Sequence, residues 1–147
     1  GGVEEYGIDR QSLPPERREW MERVSVEHVA SLFRERGCRV LEINIGKAKP
    51  YDVLVECPGP GGPERLEVEV KSHLEKVFVA GLTDWETKEA EKNPANYIVC
   101  NVAGLKEPDK SSWVTVCGRY ADLPKRLVVQ VKEERRAIIF FGGRQDV

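Results

Sequence analysis

Three charged residues near the middle of the chain, Asp52, Glu69 and Lys71, are candidates for a reactive site. Each lies in a stretch where apolar and polar residues alternate, which is typical of a β-strand whose two faces meet different surroundings. Two carboxylates and an ammonium gathered beside apolar residues are costly unless they hold a cation or take part in a reaction. The pattern therefore predicts a metal-dependent site that cleaves phosphodiesters.

The elements that position these residues are predicted to be the two strands of a hairpin over 49–71. A segment rich in proline and glycine, 58–64, joins the strands. Alternation puts Asp52 on one face of the first strand, and Glu69 and Lys71 on one face of the second. The opposite faces are apolar and carry Val53, Val55 and Cys57 in the first strand and Leu66, Val68 and Val70 in the second.

A helical segment is predicted before the hairpin, from about Pro15 to the stop at Gly37. It is either one helix or two, the alternative being a second start capped by Ser25. After the hairpin, Thr83 and Glu86 have the spacing of a capping box, and that helix should end before Asn93-Pro94. The remaining segments are predicted strands: 39–44, 76–80, 97–102 (buried on both faces), 113–117, 127–131 and 137–141.

This order of elements predicts an α/β fold in which the first helix packs on a mixed sheet. At 147 residues the chain is expected to form one domain over 15–147 after an N-terminal arm over 1–14. A formal net charge of -2 gives no global attraction to a polyanion, so nucleic-acid contact would need a local basic surface. Candidates for that surface are Lys47, Lys49, Arg119, Lys125 and Arg126.

No apolar run approaches the length of a membrane span, and no signal peptide is visible, so no membrane partner is expected. The four cysteines are scattered without a C-x-x-C pair, which argues against a zinc cluster. We expect buried free thiols and hence a reducing, cytoplasmic location.

The arrangement of Asp52 and the triplet Glu69-Val70-Lys71 resembles that of the PD-(D/E)XK restriction-endonuclease-like superfamily. It is more similar to the nuclease-like domain at the C-terminus of NO VEIN-type proteins, over about residues 24–105. That domain has a helix-borne Glu, a K-x-x-D-(I/V)-x-V strand, E-V-K-(S/G), a Thr/Ser-x-x-E helix and a Tyr-containing apolar strand. The corresponding positions here are Glu27, Asp52, Glu69 to Ser72, Thr83 to Glu86, and Tyr97 to Val102.

The resemblance implies a restriction-endonuclease-like sheet flanked by helices, with extra C-terminal strands over 112–141. It implies that Asp52 and Glu69 ligate Mg²⁺ or Mn²⁺, and that Lys71 lies beside the attacking water. Glu27 would be an added or outer-shell ligand. DNA is the usual substrate of the superfamily, although these residues do not distinguish DNA from RNA. Because the chain has no recognisable reader module, a homodimer or a part of a larger protein or complex is expected.

Less specific interpretations compete at each position. Asp52, Glu69 and Lys71 would otherwise form a solvated face, and Glu67 and Glu27 would be exposed. His73 would be a loop or surface histidine instead of a phosphate contact. His28 would be structural, and Trp85 would pack its helix on the sheet instead of stacking on a base. As a whole, the chain could also be a non-catalytic module that binds nucleic acid or a protein, or a structural interaction domain that uses its last strands.

Overall fold

The computed structural model describes residues 13–46, 48–129, 132 and 134–142, which form an α/β fold. The predicted class, a mixed sheet flanked by helices, is confirmed, whereas most of the predicted arm over 1–14 lies outside the described residues. The elements in chain order are α1 Pro15–Glu35, β1 Arg39–Ile43, β2 Val53–Cys57, β3 Glu64–His73, β4 Val79–Gly81, α2 Asp84–Lys92, β5 Tyr97–Ala103, β6 Val114–Arg119, β7 Lys125–Val129 and β8 Arg135–Phe140.

Two sheets organise the described part of the chain. The larger has five strands in the order β1-β2-β3-β5-β6, in which β3 and β5 are parallel and the other neighbours antiparallel. The smaller has the order β4-β8-β7. The helix α2 lies in the connection between β3 and β5, as a parallel pair requires. No described helix is both long enough and apolar enough to cross a membrane.

The five-stranded sheet separates two apolar cores. On one face α1 buries Met21, Val26 and Val29 against the apolar face of the hairpin, so the predicted alternation is confirmed. On the other face, α2 and the smaller sheet cover β5, which is buried along its whole length. Asp52, Glu69 and Lys71 therefore lie on the face opposite α1.

The helix α1 is continuous, so of the two alternatives the single helix is confirmed and the second start at Ser25 is wrong. The Ser25 hydroxyl donates to the Met21 carbonyl oxygen at 2.6 Å, within the same helix. This bond to the preceding turn satisfies the hydroxyl without a cap, which is why the serine does not interrupt the helix.

The cysteines form two disulfides, Cys38–Cys57 and Cys100–Cys117, so the prediction of free thiols is wrong. Cys100 lies directly opposite Cys117 in the β5–β6 pair, and the β1–β2 register brings Cys38 opposite Cys57. The paired cysteines are 19 and 17 residues apart in the sequence, so their pairing could be recognised only from the strand register. The expectation of a reducing cytoplasm rested on free thiols and loses that support.

Candidate active site

Asp52 and Glu69 lie side by side on neighbouring strands. Val53 pairs with Val68, so Asp52 and Glu69 extend the β2–β3 ladder by one step onto the same face. The Asp52 amide donates to the Val68 carbonyl oxygen at 2.9 Å, and the Val70 amide donates to Asp52 Oδ2 at 2.8 Å. Asp52 is 1% exposed and Glu69 0%. The solvated-face interpretation is therefore wrong for these two carboxylates.

Lys71 joins them from the next same-face position of β3 and meets a third carboxylate, that of Glu86. Its Nζ lies 3.2 Å from Glu69 Oε2 and 2.9 Å from Glu86 Oε1. The Lys71 side chain is 15% exposed, while Glu86 is 1% exposed. Bonds between ions in a poorly solvated place are stronger than on an open surface, so this lysine is held in one position.

Glu86 reaches Lys71 because of how α2 begins. Thr83 is the N-cap: its Oγ1 accepts from the Glu86 amide at 3.2 Å, and its own amide donates to Glu86 Oε1 at 2.9 Å. The predicted capping box is thus confirmed, and the same carboxylate oxygen also accepts from Lys71. The sequence signal was present but was interpreted only as a local cap, so the role of Glu86 in the cluster was missed.

The carboxylates of the cluster also affect Tyr97, at the start of β5. The Tyr97 hydroxyl donates to the Pro50 carbonyl oxygen at 2.7 Å. Burial, followed by the charges of Glu69, Glu86 and Asp52, raises the pKa of Tyr97 far above its ordinary value. The phenol therefore stays protonated and fixes the segment that leads into Asp52.

Glu27 and His73, the other predicted candidates, have different surroundings. Glu27 is exposed on α1, whose buried side packs on the opposite sheet face, so the structure does not bring it to the cluster. His73 ends β3 and is only 2% exposed, with Nε2 2.9 Å from Asn101 Oδ1. The prediction of a loop or surface histidine is wrong because β3 continues two residues past Lys71.

Glu67 and Trp85 also depart from their predicted surroundings. Glu67 is half-buried in a groove of about 540 Å³, where burial and then a hydrogen bond with Glu89 raise its pKa to about 7. Trp85 is 49% exposed instead of packed on the sheet, because α2 turns Glu86, Thr87 and Ala90 inward. The indole is therefore accessible at the first turn of α2.

Most of the basic residues predicted to flank a nucleic-acid path contact other groups of the chain. Lys49 pairs with Glu42 at 2.6 Å and Arg119 with Glu64 at 2.8 Å. The remaining ones are Lys125, whose Nζ lies 4.6 Å from the Tyr120 ring centroid, the exposed Arg126, and Lys47, which lies outside the described residues.

The donor set determines which metal the cluster would suit. Within the described ranges, no three His, Cys, Asp or Glu side chains are arranged to hold a metal ion. Asp52 and Glu69 offer carboxylate oxygens from adjacent strands. Mg²⁺ is commonly held by one or two carboxylates with waters and substrate phosphates. This pair therefore suits Mg²⁺ or Mn²⁺, and does not suit a metal that needs all its ligands from the protein.

Comparison with known proteins gives one finding. Neither the curated proteins nor the solved structures contain a match to the chain. The model of the family described as "Protein NO VEIN, C-terminal" matches residues 21–116. The match spans α1 to β6, includes the whole cluster, and extends beyond the 24–105 range that the sequence suggested. The chain therefore belongs to the family of the NO VEIN C-terminal domain.

Proposed function

We propose that this NO VEIN-type domain is a metal-dependent nuclease that hydrolyses phosphodiester bonds in nucleic acid, with DNA as the expected substrate. The observation that carries the proposal is the buried cluster in which Lys71 contacts Glu69 beside Asp52. Its residues have the D…E-x-K order of the PD-(D/E)XK superfamily. Buried carboxylates and an ammonium gathered at one place are typical of a reactive site.

Asp52 and Glu69 would hold Mg²⁺ or Mn²⁺, which, when bound, polarises a phosphoryl group and lowers the pKa of a coordinated water. Lys71 is the most exposed side chain of the cluster, so its ammonium is the group placed to donate to a phosphate oxygen. Such a donor stabilises negative charge that develops during hydrolysis. Glu86 acts through Lys71 as a positioning residue, because its carboxylate accepts from the ammonium and orients it.

Trp85 is a candidate contact for a base of the nucleic acid. Its exposed indole is adjacent in sequence to Glu86, at the N-terminal turn of α2. Aromatic side chains stack on bases with little sequence preference, which suits a nuclease without a separate reader. We propose that the domain works as a homodimer or within a larger protein or complex that supplies recognition.

A second candidate is a non-catalytic module that uses the same scaffold to bind nucleic acid or a protein. The near-complete burial of Asp52 and Glu69 favours it, because a substrate phosphate must reach both carboxylates for cleavage. Fold alone does not secure activity. The two candidates differ in whether bound nucleic acid is cut when Mg²⁺ or Mn²⁺ is added.

The test is nicking of supercoiled plasmid and single-stranded DNA by purified protein with Mg²⁺ or Mn²⁺. Asp52→Asn keeps an oxygen that can accept from the Val70 amide but removes the charge, and Lys71→Ala removes the ammonium. We expect both variants to lose nicking while circular dichroism shows the fold intact. Lys88→Gln, an exposed lysine on the same helix as Glu86, is the matched control. Nicking that survives both changes would refute the site, and binding without cleavage would favour the second candidate.

A further inference from the structure

A second polar groove, of about 620 Å³, lies on the opposite side of the five-stranded sheet from the cluster. It runs between α1 and β6, and its lining includes His28, Lys76, Lys110, Trp113 and Thr115. Thr115 pairs with Val102, a residue of the core that α1 covers, which places the groove on the α1 face. The sheet therefore separates this groove from Asp52 and Glu69.

The groove is basic. In the part of the chain that the structure describes, neither Lys76 nor Lys110 takes part in an ion pair, and the Lys110 Nζ lies 6.0 Å from the Trp113 ring centroid. His28 packs edge-on against Trp113, with ring centroids 5.2 Å apart. Burial, and then the charge of Lys110, lower the pKa of His28, while Glu35 acts in the opposite direction. Lys76 and Lys110 carry the positive charge of the groove, and a bound anion would offset it.

Thr115 supplies an independent sign of a ligand. It is 9% exposed, and its Oγ1 is buried without a hydrogen-bond partner among the described residues. Buried hydroxyls are normally bonded, and an unbonded one lowers stability unless something outside the chain completes it. Thr115 lines a groove with two lysines, and rotation about its Cα–Cβ bond to another staggered rotamer would turn the hydroxyl towards an oxygen of a bound anion. Ser111 and Ser112 line the same groove and are further residues that carry hydroxyl donors.

We propose that this groove binds the phosphate group of a small ligand, either inorganic phosphate or a nucleoside monophosphate. Lys76 and Lys110 supply charge, and the Thr115 hydroxyl donates to a phosphate oxygen. Trp113 is itself only 9% exposed and forms a wall of the groove, so the phosphate is the part of the ligand that is recognised. The groove is of the size usual for small-molecule sites and has room for a sugar beside the phosphate. The proposal does not depend on nuclease activity.

The test is a titration of isotope-labelled protein with inorganic phosphate, and separately with adenosine 5′-monophosphate, in metal-free buffer. We expect saturable nuclear magnetic resonance shifts at groove residues and a rise in the pKa of His28. Lys110→Gln should weaken phosphate binding about tenfold, as loss of a charge-assisted hydrogen bond does. Lys88→Gln on α2 is the matched control and should leave binding unchanged. Tighter binding of the nucleotide would identify it as the ligand class, and equal binding would identify free phosphate.

Thr115→Val separates a ligand contact from a structural role, because valine has nearly the same shape without the hydroxyl. The variant should bind phosphate more weakly while its midpoint of thermal unfolding is not lowered, since the hydroxyl has no bonding partner in the described part of the chain. The proposal is overturned if neither ligand saturates at millimolar concentration, or if Thr115→Val and Lys110→Gln bind like the parent protein. It is also overturned if only duplex DNA, and no small phosphate, binds in a Lys110-dependent way.

Discussion

Replacement of Lys71 by methionine tests whether the charged cluster is held as the structure describes. Methionine keeps most of the apolar stem but removes the ammonium that lies 3.2 Å from Glu69 and 2.9 Å from Glu86. Both carboxylates would then be buried without that partner. Removing one member of a buried ion pair typically costs about 3–5 kcal/mol. Because Lys71 is slightly exposed, we expect the lower end, about 3 kcal/mol.

The energy of the Lys71–Glu86 contact can be isolated with a double-mutant cycle. Glu86→Gln removes the charge but leaves an oxygen that can still accept from the Thr83 amide, so the helix cap is retained. The free energy of unfolding would be measured by urea titration of the parent, both single variants and the double variant. We expect a coupling energy of about 1–3 kcal/mol, in the upper part of the range of about 0.5–3 kcal/mol for residues in direct contact.

An exposed ion pair on α2 provides the reference value for this coupling energy. Lys88 and Asp84 are four residues apart on α2, with Nζ 2.9 Å from Oδ2, but the lysine side chain is 65% exposed. Exposed pairs of this spacing contribute about 0.3–0.5 kcal/mol. The reasoning is refuted if Lys71→Met costs less than about 1 kcal/mol, or if the Lys71–Glu86 coupling is no larger than that of Lys88 and Asp84.

Three further predictions follow from other parts of the molecule. Replacing Cys38 and Cys57 together by serine should lower the free energy of unfolding by about 3 kcal/mol, since the disulfide closes a loop of 19 residues; a loss below about 1 kcal/mol in thermal unfolding would contradict this. The pKa of Glu67 is raised from 4.5 to about 7. The contribution of its protonated carboxyl to the free energy of unfolding is therefore fully present below pH 4.5 and is lost as the pH rises through 7. Glu67→Gln should therefore stabilise by about 1 kcal/mol at pH 8, discounted for partial exposure, and by nothing at pH 4; an equal effect at both in urea unfolding would count against the shift. Trp85→Ala should weaken single-stranded DNA binding by about 1–3 kcal/mol in fluorescence anisotropy with stability unchanged, and undiminished affinity would exclude stacking.

The hairpin could be predicted because its signal is local. Period-two alternation fixed which side chains share a face, and the Pro/Gly segment fixed where the chain turns. Asp52 and Glu69 were thus expected to be neighbours, and the β2–β3 register makes them so. The cap of α2 was equally local, because Thr83 and Glu86 are three residues apart.

Features that depend on contacts between distant elements could not be predicted. Glu86 pairs with Lys71 only because α2 packs on the face of β3 that carries the lysine, and no spacing in the sequence encodes that packing. Cys100 meets Cys117 only through the β5–β6 register. Trp85 was expected to pack on the sheet, but it lies on the exposed side of α2. The buried side of this helix carries the polar residues Glu86 and Thr87 instead.

Crystals soaked in Mn²⁺ show whether Asp52 and Glu69 hold a divalent cation. We expect an anomalous-scattering peak within bonding distance of one oxygen of each carboxylate, and its loss in crystals of Asp52→Asn. The absence of a peak there, or a peak that persists in Asp52→Asn, would contradict that expectation.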